Sequence, residues 1–182
     1  MEGIIVLLVW LIPRPEPFGW LHLLFIFLTF AISALLIKRA FHHQSKPVKK
    51  VLLFIGVFTL LIEIVEQVYI LHHFSYYSFN DFPLHYCSMI IYASLIAGLT
   101  KNKKVEERLT DFIALFITLP GIAVMLFPGG VFSTHALLSL HTMLWHSAMV
   151  IGSLYVLLTR KIERPWLRFL QTSGWFFLLC CI

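Results

Sequence analysis

Two carboxylates, a carboxamide, several histidines and a cysteine stand inside apolar runs of this 182-residue chain. Glu63, Glu66 and Gln67 are three and four apart, so on a helix they share one face. Two carboxylates this close push each other toward the protonated form unless a cation or histidine lies beside them. His141 and His146 are five apart, roughly 140° around a helix, so they cannot both point squarely at one ligand. His146 shares a stripe with Ser139, Thr142 and Met149, and His141 shares one with Trp145. Two kinds of chemistry could use such groups. One is a nucleophile with its base: Cys87 as thiolate, a histidine taking its proton, a glutamate orienting the histidine, and His85 donating to a developing oxyanion. The other is a proton, metal or small ligand held by the Glu and His layer. No HxxxH, HExxH or CxxC spacing occurs, so metal ligands would have to come singly from separate segments, and no metal or cofactor is expected. The plain structural alternative is that each group only hydrogen-bonds between helices, or, for Cys87, packs as a small hydrophobe.

The surroundings of these groups are lipid-like. With 59% apolar and 13% charged residues the chain has too little charge to cover a soluble surface. Roughly 20 apolar residues cross a bilayer, and six runs are candidates: 19–37, 51–71, 82–99, 109–127, 136–158 and 165–182. Continuous apolar runs without dyad alternation predict helices rather than barrel strands. The fold expected is an all-α membrane protein, a bundle of about six transmembrane helices forming one domain over 19–182. Residues 1–18 are expected to be an external segment, interfacial or partly inserted, because the apolar run Ile4 to Ile12 is too short to span. A signal peptide is disfavoured: no basic stretch precedes that run and no small-residue cleavage site follows it.

Thirteen of the 14 Lys and Arg residues fall in three loops, Lys38 to Lys50, Lys101 to Arg108 and Arg160 to Arg168. The intervening loops, His72 to Asp81 and Pro128 to His135, carry none. Basic loops stay on the cytoplasmic side, which predicts N-terminus out and C-terminus out in a multi-pass protein of the cell membrane. Measured from the external ends at ~1.5 Å per residue, His22, Glu66, His85, Cys87 and His141 then lie within one or two turns of the outer surface, with Glu63 and His146 deeper. The polar layer is one-sided, and Glu66, His85, Cys87 and His141 are expected to share a cavity in the outer half. A net charge of +5 is explained by this topology and by anionic headgroups, so the partners expected are membrane lipids and not nucleic acid. Pro83 and Pro165 should open their helices, with Asn80 or Asp81 capping the third. Pro120-Gly121 should kink or break the fourth. The adjacent Cys180 and Cys181 are a poor candidate for a disulfide. The sixth run reaches the end of the chain without an exit loop, as in a shortened version of a longer protein.

The string Asp81-Phe82-Pro83-Leu84-His85-Tyr86-Cys87-Ser88 resembles the motif that opens a span in the YwaF-type family of bacterial integral membrane proteins. Phe18 to His22, Glu63 to Gln67, Pro120-Gly121 and Trp145-His146 are similar to further family segments in the same order, so the resemblance runs from about Phe18 to Tyr155. Trp145 and Ser147 replace the family's usual neighbours of the fifth-span histidine. That family is similar to a eukaryotic membrane acyltransferase of ether phospholipids and, more distantly, to androgen-induced membrane hydrolases of fatty-acid esters. The resemblance implies a lipid acyl-transfer or acyl-ester-hydrolysing enzyme with an acyl-lipid substrate, Cys87 as nucleophile and His146 as the matching histidine. His141 remains the other candidate base, Glu66 or Glu63 the orienting carboxylate, and His85 the oxyanion donor.

Overall fold

The computed structural model of the chain describes residues 15–43, 47–74, 77, 82–160, 162 and 165–180. The apolar run at Ile4 to Ile12, Arg14, and the proposed caps Asn80 and Asp81 lie outside the described residues. The described elements are all helical: α1 (Trp20–His42), α2 (Val48–His73), a 3-10 turn (Tyr86–Ser88) running into α3 (Met89–Leu99), α4 (Lys103–Phe112), a π-helical segment (Ile113–Ile117), α5 (Thr118–Leu126), α6 (Ala136–Thr159) and α7 (Pro165–Cys180). Helices α1, α2, the joined unit from α4 to α5, and α6 are long and apolar enough to cross a membrane. Of the six expected spans, the other two are shorter. Pro165 does begin its helix, but Pro83 does not. The Phe82 carbonyl accepts from the Leu84 N–H at 2.7 Å and His85 is extended, so helix begins only at Tyr86. The resulting 14 residues of turn and α3 rise roughly 20 Å, less than the ~30 Å hydrocarbon thickness.

Helix α6 forms the centre. It packs on α1, α2, α5 and the π segment, and Trp145, Ala148, Met149 and Val156 join Leu52, Ile55, Ile90, Ile91 and Ile117 in one apolar core. The outward face of α1, by contrast, leaves Leu23, Phe27 and Leu35 exposed, as a lipid-facing surface would be. Helices α2 and α3 approach each other closely. A Cβ on Gly98 would lie 2.8 Å from the Leu53 Cβ, and one on Gly56 would lie 2.9 Å from the Leu95 backbone nitrogen. Neither position has room for a side chain, which is how small residues let membrane helices approach.

Pro120 does not end its helix. It lacks an N–H, so the carbonyl four residues back, on Phe116, loses its helical partner and must move away from the ring. The backbone widens into the π segment just before Thr118, the single-turn form such disturbances take. The freed Phe116 carbonyl accepts a hydrogen bond from the Tyr86 hydroxyl. A polar group in hydrocarbon needs such a partner, and this one ties the broken helix to the 3-10 turn that carries Cys87. Tyr86→Phe removes this donor, at a cost of about 0.5–1.5 kcal/mol for the lost hydrogen bond. The expected outcome is a lower thermal unfolding midpoint in detergent with the elution profile unchanged; an unchanged midpoint would remove this tie from the account.

The three basic loops meet at one end of the bundle. Lys49 lies 3.6 Å from Glu106 and donates to the Thr100 carbonyl. Arg160 and Arg168 lie 3.8 and 3.6 Å from the buried carboxylate of Asp111. At the opposite end the Tyr69 hydroxyl contacts the His135 ring at 3.1 Å. The basic residues therefore segregate in space as the loop pattern requires.

Candidate functional site

The convergent polar groups come from α2 and α6. Nδ1 of His141 lies 3.2 Å from the Glu66 carboxylate, and its Nε2 lies 4.0 Å from that of Glu63. The first distance is within hydrogen-bonding range and the second is beyond it. Nε2 is buried without a hydrogen-bond partner, and in the neutral ring with its Nδ1 proton turned toward Glu66 it carries the lone pair. Gln67 donates its amide to Glu63 at 2.7 Å, and the Tyr77 hydroxyl donates to the Gln67 carbonyl at 2.6 Å. A helical spacing of four thus makes Glu63 and Gln67 partners, and Trp145 backs the His141 ring at 5.1 Å between centroids. One ligand atom from each of Glu63, Glu66 and His141 falls within 4.8 Å of the others, a set that could hold a cation. Glu63 is buried, and the His141 and Glu66 side chains are 11% and 21% exposed, so charge placed here interacts strongly.

His146 is one turn further along α6, and it is buried. Its Nδ1 lies 2.8 Å from the Thr142 carbonyl. A carbonyl can only accept, so in the neutral ring Nδ1 carries the proton and Nε2 is left with the lone pair. No glutamate orients this ring; its own helix does.

Cys87 is a free thiol in the 3-10 turn, half-buried, and packs against the apolar core to which Trp145 and Met149 belong. Its turn leads directly into α3, so it sits at a helix N-terminus. His85 is exposed and stands immediately before the turn. Of the five sequence candidates, Glu66 and His141 lie against each other, His85 is exposed, Cys87 packs against the core that includes Trp145 and Met149, and His146 is held by its own helix. His22 is different again. Its Nδ1 accepts from the Phe18 N–H at 3.0 Å, so its Nε2–H donates to the Met125 carbonyl at 2.9 Å. Both nitrogens are occupied in stitching α1 to α5, which leaves none for a base. Sequence reasoning missed the Tyr86 tie and the role of Asp111. A proline inside a span was the available signal for the first, because it frees a carbonyl that something must satisfy.

No curated protein and no solved structure matches the chain significantly. The model of one family does match, over residues 17–182. The matched range takes in every helix from α1 onward and all of the polar residues described above. By that match, this all-helical chain, with four helices able to cross a membrane, belongs to the TMEM164 family of transmembrane proteins.

Proposed function

We propose that this TMEM164-family protein is a lipid acyl-transfer or acyl-ester-hydrolysing enzyme working from the outer-leaflet side, with Cys87 as nucleophile and His146 as base. The observation that carries the reading is the 2.8 Å contact of Nδ1 of the buried His146 ring with the Thr142 carbonyl, which in the neutral form puts the proton on Nδ1 and the lone pair on Nε2. Such a nitrogen is a general base. Cys87, on the turn tethered through Tyr86 and at a helix N-terminus, supplies the nucleophile. Its thiol proton passes to Nε2 as sulfur attacks the ester carbonyl. The tetrahedral intermediate collapses, the lysolipid oxygen leaves with the proton from His146, and an acyl-thioester remains on Cys87. An acceptor alcohol or water then attacks, giving its proton to His146 and releasing the thiol. Glu66 holds His141, and that pair with Glu63 sets the polarity beside the site. The resemblance of the Pro83 to Cys87 string to YwaF-type proteins, and through them to lipid acyltransferases, supports the same assignment.

The test is transfer of a labelled acyl chain from phospholipid to a lysolipid by purified protein. Wild type should transfer, and Cys87→Ser should lose at least 10²-fold, because a hydroxyl beside a neutral imidazole is a far poorer nucleophile. Equal activity in the two proteins would remove the thioester route. Orientation is tested separately: a single cysteine at Ser133 should react with an impermeant reagent outside intact cells, and one at Asn102 should not. Reaction at Asn102 instead would move the site to the inner leaflet.

A second reading is favoured by one observation, the buried and unpartnered Nε2 of His141 facing Glu63. Two carboxylates around a neutral imidazole attract a proton or cation, so this cluster suits a non-enzymatic carrier or binding protein. The readings part on Cys87→Ser, which abolishes transfer under the first and leaves ion binding unchanged under the second.

A further inference from the structure

Helices α1, α2 and α6 enclose a groove of about 610 Å³. Its wall runs from Phe25 to Leu36 on α1, which at ~1.5 Å per residue is roughly 16 Å of bilayer depth. Phe54 and Phe58 of α2 and Ile151 of α6 line the other sides. Apart from Lys50 at its end, the polar groups within it are Thr29 and Ser147, hydrogen-bonded to each other at 2.8 Å, so the wall offers a ligand mostly hydrocarbon. Ile32 and Phe54 are exposed, 42% and 69%, so the groove opens sideways onto the lipid-facing surface. A long, lipid-open apolar slot of this size suits one acyl chain.

The basic end of the groove selects the headgroup. Lys50 lines both this groove and an adjoining recess of about 450 Å³ formed with Lys49, Glu106 and Arg160. Lys49 is taken up by Glu106, and Arg160 by Asp111. Lys50 is exposed and has no ion-pair partner among the described residues. Its ammonium therefore stands where the phosphate of a lipid would lie when a chain of that lipid fills the groove. We infer that the α1–α2–α6 groove binds one anionic phospholipid, its acyl chain along Phe25 to Leu36 and its phosphate on Lys50. This site lies at the basic end of the bundle and does not depend on the acyl-transfer chemistry, so Cys87→Ser should bind the same lipid.

The experiment uses the full chain reconstituted in equimolar phosphatidylglycerol and phosphatidylcholine, washed in detergent and weighed by native mass spectrometry. Wild type should retain one phosphatidylglycerol in about fivefold preference to phosphatidylcholine, the factor one lysine contributes toward an anionic surface. Lys50→Gln should abolish the preference, and Ile32→Trp, which fills the slot from its lipid side, should lower retention of both lipids. A photoreactive acyl chain on phosphatidylglycerol should crosslink to residues 25–36, 51–58 or 144–151. Equal retention of the two lipids, an unchanged preference in Lys50→Gln, crosslinks confined to other segments, or a lipid-free dimer would each overturn the inference. Lys50→Gln changes an exposed side chain and the crosslink needs no substitution, so both outcomes stand even if Ile32→Trp fails to fold.

Discussion

His146→Ala should lower acyl transfer by about 10²- to 10⁴-fold, the range over which a positioned base contributes, whereas His141→Ala should cost less than tenfold. The difference follows from how each ring is held. His146 binds only the Thr142 carbonyl of its own helix, leaving Nε2 as a lone pair without a carboxylate beside it. His141 is engaged by Glu66 at 3.2 Å, and its other nitrogen faces Glu63, so its lone pair is turned toward carboxylates rather than toward a thiol. Removing His146 gives up one hydrogen bond within a helix and contacts in the core, so its elution profile in detergent should match wild type before lost activity is interpreted. Rates of the two variants, measured at equal folded concentration, check the claim. The reverse order, with His141→Ala inactive and His146→Ala active, would transfer the base to the glutamate cluster.

Gly98→Leu should give no monodisperse folded protein. The first atom of any side chain there meets the Leu53 Cβ at 2.8 Å and its Cα at 3.0 Å, so backbone as well as side chain must move. Overpacking of this kind costs about 1–3 kcal/mol or more, and the contact joins α2 to α3, the helix that follows the Cys87 turn. Gly98→Ala should show a smaller loss of thermal midpoint. Gly174 is the control: a Cβ there would meet nothing within 4 Å, so Gly174→Ala should stay near wild type. A Gly98→Leu protein as stable as Gly174→Ala would contradict the close packing of α2 on α3.

Hydropathy and the loop charges made most of the architecture legible, because a helix in lipid must satisfy its own backbone and its flanking charges must stay in water. Basic residues did converge at one end, through Lys49 with Glu106 and Arg160 with Asp111. The start of the third helix was misjudged because a proline after a capping residue type reads as a helix N-terminus. Instead the chain turns tightly from Phe82 to Leu84, and His85 is extended before the 3-10 turn. Pro120 was legible as a disturbance, yet its form as a π segment, with Tyr86 on the freed carbonyl, depends on a residue 30 positions away in sequence. In the polar layer, helical spacing gave the Glu63 and Gln67 pair, and common depth put Glu66, His85, Cys87 and His141 in one expected cavity, of which Glu66 and His141 lie 3.2 Å apart. Depth could not distinguish azimuth, which is why His85 is at the surface and His22 is spent on two backbone groups.

The most direct test of the acyl-transfer mechanism is to trap its intermediate. Wild-type protein incubated briefly with a phospholipid carrying one defined acyl chain, then quenched in acid and digested, should yield the Cys87 peptide heavier by that acyl group, with the mass lost on treatment with neutral hydroxylamine. His146→Ala should yield little of this peptide and Cys87→Ser none. Acylation that never appears on Cys87 while wild type transfers the chain, or that persists unchanged in His146→Ala, would contradict a mechanism built on this cysteine and this histidine.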